Sequence, residues 1–217
     1  MPAVVSINIA KPARINLNGG TLFSGILKKP VTGRIQLQTE GFLGDGTADK
    51  RHHGGSDKGL CVYPMDHFPY WEKELGKMIP PGAFGENLTV SGLDENLVHI
   101  GDIFRVGNAK IQISQPRQPC HKVSKLFGLN NMACQIQKSG FTGFYCRVLQ
   151  PGWIEAGDNL ALIHTHEKRF TVGMANHLMY VDKKNKESIK KLLSLDALSV
   201  EWKRFFTARL QKLEAVA

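Results

Sequence analysis

Alternating apolar and polar positions mark most of the first 167 residues. Val4, Val5, Ile7 and Ile9 predict an opening strand, followed by a turn at Asn16-Leu17-Asn18-Gly19-Gly20. Strand-like runs recur at 21–27, 33–37, 60–63 and 88–90. Residues 98–106 and 109–114 predict a hairpin turned at Gly107-Asn108. In 141–149, Phe144, Cys146 and Val148 share one face, while Tyr145, Arg147 and Leu149 share the other. Two further short strands between 152 and 163 flank Gly157-Asp158. A helix opened by Pro64 carries Phe68, Trp71 and Leu75 and stops at Gly76, and a second is predicted over 131–138. Many short strands with glycine turns and single interrupting helices predict a closed or nearly closed β-barrel.

The period changes past 164–169. Segments 172–180, 187–193 and 200–213 predict three helices, with Asn185 and Ser199 as N-caps. Leu192, Leu193, Leu195 and Leu198 can close a small core with Trp202, Phe205 and Phe206. Roughly 45 residues make a marginal core alone, so this unit is expected to pack on the barrel. The chain therefore reads as mainly β with α: a β-barrel domain over 1–167 and a C-terminal three-helix unit over 168–217.

Charge changes this picture little. The net charge is +9, but from Lys168 onward 11 basic and 5 acidic residues give +6, and the preceding 17 and 14 give only +3. A nucleic-acid face across the main domain is not expected. No run of eighteen apolar residues suggests a membrane span, and the opening segment lacks the pattern of a signal peptide. Cys61, Cys120, Cys134 and Cys146 are dispersed, which suits reduced thiols in the cytoplasm.

The most distinctive stretch is 114–127. It leaves a strand containing Ile111 and Ile113, is stiffened by Pro116 and Pro119, and enters a helix marked by Val123, Leu126 and Phe127. Cys120 thus lies at a strand-to-helix junction, where N–H groups and the cations Arg117, His121 and Lys122 favour a thiolate. Most free cysteines are buried small hydrophobes; here the Gln, Pro, His and Lys neighbours argue for an accessible sulfur. Residues 41–58 are rich in glycine and charge, a composition that can turn sharply and present N–H groups to an anion. The adjacent His52 and His53 diverge in direction and have no third ligand at zinc spacing, so a surface loop competes with any metal reading.

Q-P-R-Q-P-C-H-K at 115–122, His53-Gly54-Gly55 with Asp57, Gly85-Glu86-Asn87-Leu88 and Gly101-Asp102, in this order, resemble the MOSC family, named after the C-terminal domain of molybdenum cofactor sulfurase. The match is to its stand-alone bacterial YiiM type. The resemblance implies a molybdenum cofactor (molybdopterin) with Cys120 as the metal ligand. It makes Cys120, Arg117 and Lys28 (rather than Lys29) the catalytic group, and assigns cofactor binding to His53, Gly54, Gly55, Asn87, Arg147 and Lys122. The implied activity is reduction of N-hydroxylated compounds, including hydroxylaminopurine-type bases, to amines. The chain has no cysteine cluster for an iron–sulfur centre and no G-x-G-x-x-G loop, so a separate electron-transfer protein or reductase is expected. Pyridoxal phosphate is not expected, and a homodimer is left open. Two rival classes remain: a persulfide carrier using Cys120 without a metal, and a nucleic-acid binder using the basic tail.

Overall fold

The computed structural model describes residues 1–17, 20–49 and 54–215. Strands β1 (Ala3–Ile9), β2 (Ala13–Leu17), β3 (Gly20–Ser24), β4 (Lys29–Val31), β5 (Ile35–Gln38), β6 (Gly41–Phe42) and β7 (Leu60–Pro64) precede helix α1 (Phe68–Leu75). Then come β8 (Leu88–Ser91), β9 (Ile103–Val106), β10 (Ala109–Pro116), α2 (His121–Phe127), α3 (Met132–Ser139), β11 (Phe144–Gln150), β12 (Gly152–Ile154) and β13 (Leu160–His164). Helices α4 (Val172–Tyr180), α5 (Lys186–Leu193) and α6 (Val200–Ala215) complete the order.

Eight strands form one mixed sheet in the order β13-β9-β10-β11-β7-β8-β1-β4, with β7 and β8 parallel. The sheet curls until the start of β1 meets the approach to β13. Ala3 bridges Asn159, Val4 N donates to Asp158 O at 2.9 Å, and Leu160 N donates to Pro2 O at 2.9 Å. The outcome is a curled half-barrel, in keeping with the closed or nearly closed barrel expected from the pattern. β12-β5-β6 and the β2-β3 hairpin stand as separate small sheets.

The alternation along β10 and β11 explains the core. Ala109, Ile111 and Ile113 are buried, and so are Phe144, Cys146 and Val148 facing them from the neighbouring strand. Where local pattern misled, a specific contact intervened. The run predicted from 98 becomes a strand only at Ile103, because Asp102 pulls the chain into a turn. Its carboxylate accepts from His99 N at 2.9 Å and from His166 N at 3.0 Å. Gly101 sits there at φ 99°, a conformation that favours glycine. β10, predicted to end at 114, runs through Pro116 because the next residue keeps pairing: Arg117 N donates to Gly143 O at 3.0 Å.

The helices at the end of the chain are capped by side chains. Thr171 accepts from Met174 N (3.0 Å), Asn185 from Ser188 N (2.9 Å) and Ser199 from Trp202 N (3.3 Å). Ile189, Leu192, Leu195, Leu198, Trp202 and Phe206 join the same apolar core as the barrel strands. Phe205, expected inside, is 43% exposed, with the Arg209 guanidinium 4.6 Å above its ring. That cation shields the ring at the surface. Polar ties reinforce the seam. Ser199 N donates to Ser114 O (3.1 Å), and Val200 N donates to Asp57 Oδ2 (2.9 Å). His166 Nε2 meets Asp196 Oδ1 at 3.0 Å. No helix among the described residues is long and apolar enough to cross a membrane.

A shared core predicts shared unfolding. Trp202→Ala, which empties a fully buried site, should cost about 3–5 kcal/mol. Calorimetry should still show one transition at a lower Tm. Separate melting of the helical unit would contradict the shared core.

Candidate functional site

A cavity of about 250 Å³ opens where residues 24–28, 40–47, 54–61, 84–87 and 117–122 converge beside Tyr145. Behind its wall lies a buried carboxylate. Glu86 is fully buried and accepts from Gly82 N (2.6 Å), Phe84 N (3.0 Å) and Thr89 Oγ1 (2.7 Å). Burial pushes its carboxyl above the ordinary value against the pull of those donors and of Arg117. The loop it holds presents the Phe84 carbonyl to Arg117 Nη2.

Arg117 is buried, and its Nη1 has no hydrogen-bond partner. Burial works against its charge, but the attraction of Cys61, Tyr145, Cys120 and Glu86 as they ionise outweighs that, so the guanidinium pKa lies above its ordinary value. A cation with one unpaired nitrogen therefore stands at the cavity lining. A buried donor without a partner is costly and calls for an acceptor.

Cys120 is the residue that caps α2, in extended backbone at φ −103°, half-buried on the cavity wall. Pro119 precedes it, and its carbonyl accepts from Val123 N at 3.1 Å. The structure thus brings Cys120, Arg117, Lys28, Gly54, Gly55, Asn87 and Lys122 to one cavity. Lys28 reaches Asp45 in an ion pair, whereas Lys29 lies exposed in β4. Asn87 ties this corner together, donating to Asp45 Oδ2 (2.7 Å) and accepting from Cys61 N (3.2 Å). His53 lies outside the described residues.

Arg147 departs from its expected place and does not line the cavity. Its nitrogens are taken by Asp57 (2.7 and 3.0 Å), Gln112 Oε1 (2.9 Å) and the Ala197 carbonyl (2.8 Å). It shares a strand face with Tyr145, but the three-helix unit covers that end of the face. There the arginine fastens the helical unit to the turn that follows Gly54-Gly55. His121, whose charge was expected beside the sulfur, is exposed and off the cavity wall.

Among the lining residues that the sequence did not mark as site groups, Asp45, Lys58, Cys61 and Tyr145 carry ionisable side chains. Lys58 is 7% exposed, forms an ion pair with Glu201 of α6, and sits 5.9 Å over the Tyr145 ring. Burial pushes the Cys61 thiol up to about 11 and the Tyr145 phenol higher still, so both stay protonated near neutrality. Only their strand alternation was visible in the sequence; their convergence depends on the fold. Among the described residues, no three His, Cys, Asp or Glu side chains gather as a metal-ion site.

Comparison with known proteins agrees with this architecture. The MOSC domain profile matches residues 49–161, and the profile of the YiiM-like 3-alpha helix domain matches 171–213. YflK of Bacillus subtilis (strain 168) is 45% identical over 97% of this chain and 96% of its own length. The protein YiiM of Escherichia coli (strain K12) is 38% identical over 86% of this chain and 84% of its own. A protein of Gibberella moniliformis named "Reductase" is 32% identical over 71% of this chain but only 28% of its own length. The crystal structure of YiiM from Geobacillus stearothermophilus superimposes with a TM-score of 0.84 at 37% identity, covering 97% of this chain and all of that one.

The Cys61 environment has a pH consequence. Folding raises the thiol from an ordinary value of 9.0 to about 11, so the folded state holds the proton more tightly. Stability from this site is complete below pH 9 and is lost as pH rises through 11. Cys61→Ala should therefore lose less stability than wild type between pH 9 and 11, measured by urea unfolding. Parallel curves for the two proteins would refute the assignment.

Proposed function

The chain belongs to the MOSC domain family, and we propose that it is a cytoplasmic molybdenum-cofactor oxidoreductase reducing N-hydroxylated compounds, hydroxylaminopurine-type bases among them, to amines. The observation that carries this reading is Arg117, a buried cation whose Nη1 has no hydrogen-bond partner, lining one cavity with Cys120. The relative named a reductase supports the redox class.

The residues present fit the cofactor chemically. A soft thiolate at Cys120 suits a molybdenum ligand. Arg117 offers a cation to an anionic oxygen, and Lys122 adds positive charge on the same wall. Gly54 and Gly55 bring bare backbone to the cavity edge. Cys61 also lines the cavity but is buried within β7, whereas Cys120 is half-buried at the strand-to-helix junction, which makes it the sulfur better placed to meet a metal. Bound there, the cofactor supplies the two-electron redox centre that the side chains lack. The Glu86 loop and the two prolines around Arg117 and Cys120 hold these groups in place, so little ordering is needed when the ligand arrives. The electrons come from a separate carrier.

Protein purified from cells that make molybdopterin tests the reading. Wild type should hold molybdenum and pterin close to one per chain, and Cys120→Ser at least about tenfold less. Equal loading of the two proteins would remove Cys120 as the ligand. A metal-free wild type whose Cys120 carries an extra sulfur by mass spectrometry would favour the persulfide carrier instead.

A further inference from the structure

A second cavity, of about 340 Å³, lies beside the first. Its lining includes Lys28, Lys29 and Lys77 and contains no carboxylate. Leu27 and Met78 stand at its edge, 39% and 81% exposed, next to Pro80 and Pro81. These side chains place a small apolar centre inside a rim of lysines.

The partition between the two cavities is thin. Lys28 lines both. Phe84 of the first and Phe127 of the second have ring centres 5.1 Å apart. Gly82 closes the partition against the Lys28 backbone, since a Cβ there would fall 2.7 Å from Lys28 O. A substrate could not pass at that point, but an electron needs no passage. The outer wall is also rigid, because Pro80, Pro81 and the Glu86 carboxylate on Gly82 N fix its loop.

We propose that the face formed by Leu27, Lys29, Lys77, Met78 and Phe127 docks an acidic one-electron carrier protein, which reduces the cofactor across the Phe84–Phe127 partition. The proposal rests on the redox reading above. A lysine rim around an apolar centre suits a small, transient, electrostatically steered encounter. It disfavours a second copy of this chain, since like-charged faces of a +9 protein repel. Per turnover, two reduced carrier molecules give one electron each and solvent gives two protons. The N–O bond breaks, an N–H bond forms, and the hydroxyl oxygen leaves as water.

The test compares wild type with Lys29→Glu/Lys77→Glu and with Met78→Gln, all as full-length loaded protein. Turnover is driven once by reduced methyl viologen and once by photoreduced flavodoxin, and oxidised flavodoxin is titrated at low ionic strength. For the double variant, the KM and Kd for flavodoxin should rise at least about tenfold and the salt dependence should flatten, while viologen-driven kcat/KM stays within about twofold. Met78→Gln, which removes apolar contact without adding charge, should weaken flavodoxin binding without changing the salt slope. Lys29→Arg/Lys77→Arg should behave as wild type. Flavodoxin binding that is absent in wild type, or equal in wild type and the double variant, overturns the docking face. A wild type that viologen cannot drive overturns the reductase reading instead, and the flavodoxin titration still decides the face.

Discussion

A guanidinium removed from water is the constraint on which the site depends. Arg117 can remain charged in the interior only if its surroundings are arranged for it. Glu86 shapes the loop whose Phe84 carbonyl takes Nη2, and Gly143 takes the backbone N–H. Gly143 is in turn held by Glu95, whose other oxygen meets His67 Nε2 at 2.7 Å. His67 stacks on Phe141 with ring centres 3.9 Å apart. Parts of the chain far apart in sequence therefore converge on one cation, and they leave its Nη1 without a partner. Cys120 follows three residues later, so the same anchoring fixes the sulfur.

The helical unit belongs to this arrangement. Asp57 links Arg147 to the N–H of Val200, and Lys58, one residue on, reaches both the cavity and Glu201. The exposed part of such an ion pair adds little stability. Its consequence is geometric, since the orientation of a cavity lysine depends on a helix 143 residues away. Together with the shared core, this couples the cavity rim to the packing of the three helices.

Much of the architecture was legible in the sequence because it is local. The 144/146/148 alternation, the stop at Gly76, and the caps at Asn185 and Ser199 each follow from a few neighbouring residues. Cys120 at a strand-to-helix junction follows from Pro116, Pro119 and the helical spacing beyond them. What stayed hidden depends on partners distant in sequence. Lys29–Val31 becomes a strand only because β1 offers it an edge. Alternation put Arg147 on the face of Tyr145 but could not show that α6 and its preceding turn cover it. Asp45 gave no sign of pairing with Lys28, nor Lys58 with Glu201, since neither pair is close in sequence.

The unpaired Arg117 nitrogen offers the most direct test. A crystal structure of the full-length protein, purified with whatever it binds in a molybdopterin-producing cell, would show what meets that atom. The account predicts an anionic oxygen of the bound molecule within hydrogen-bond distance of Arg117 Nη1, with its metal beside Cys120 Sγ. A loaded protein in which Nη1 contacts only protein or solvent, with the bound molecule seated elsewhere, would contradict it.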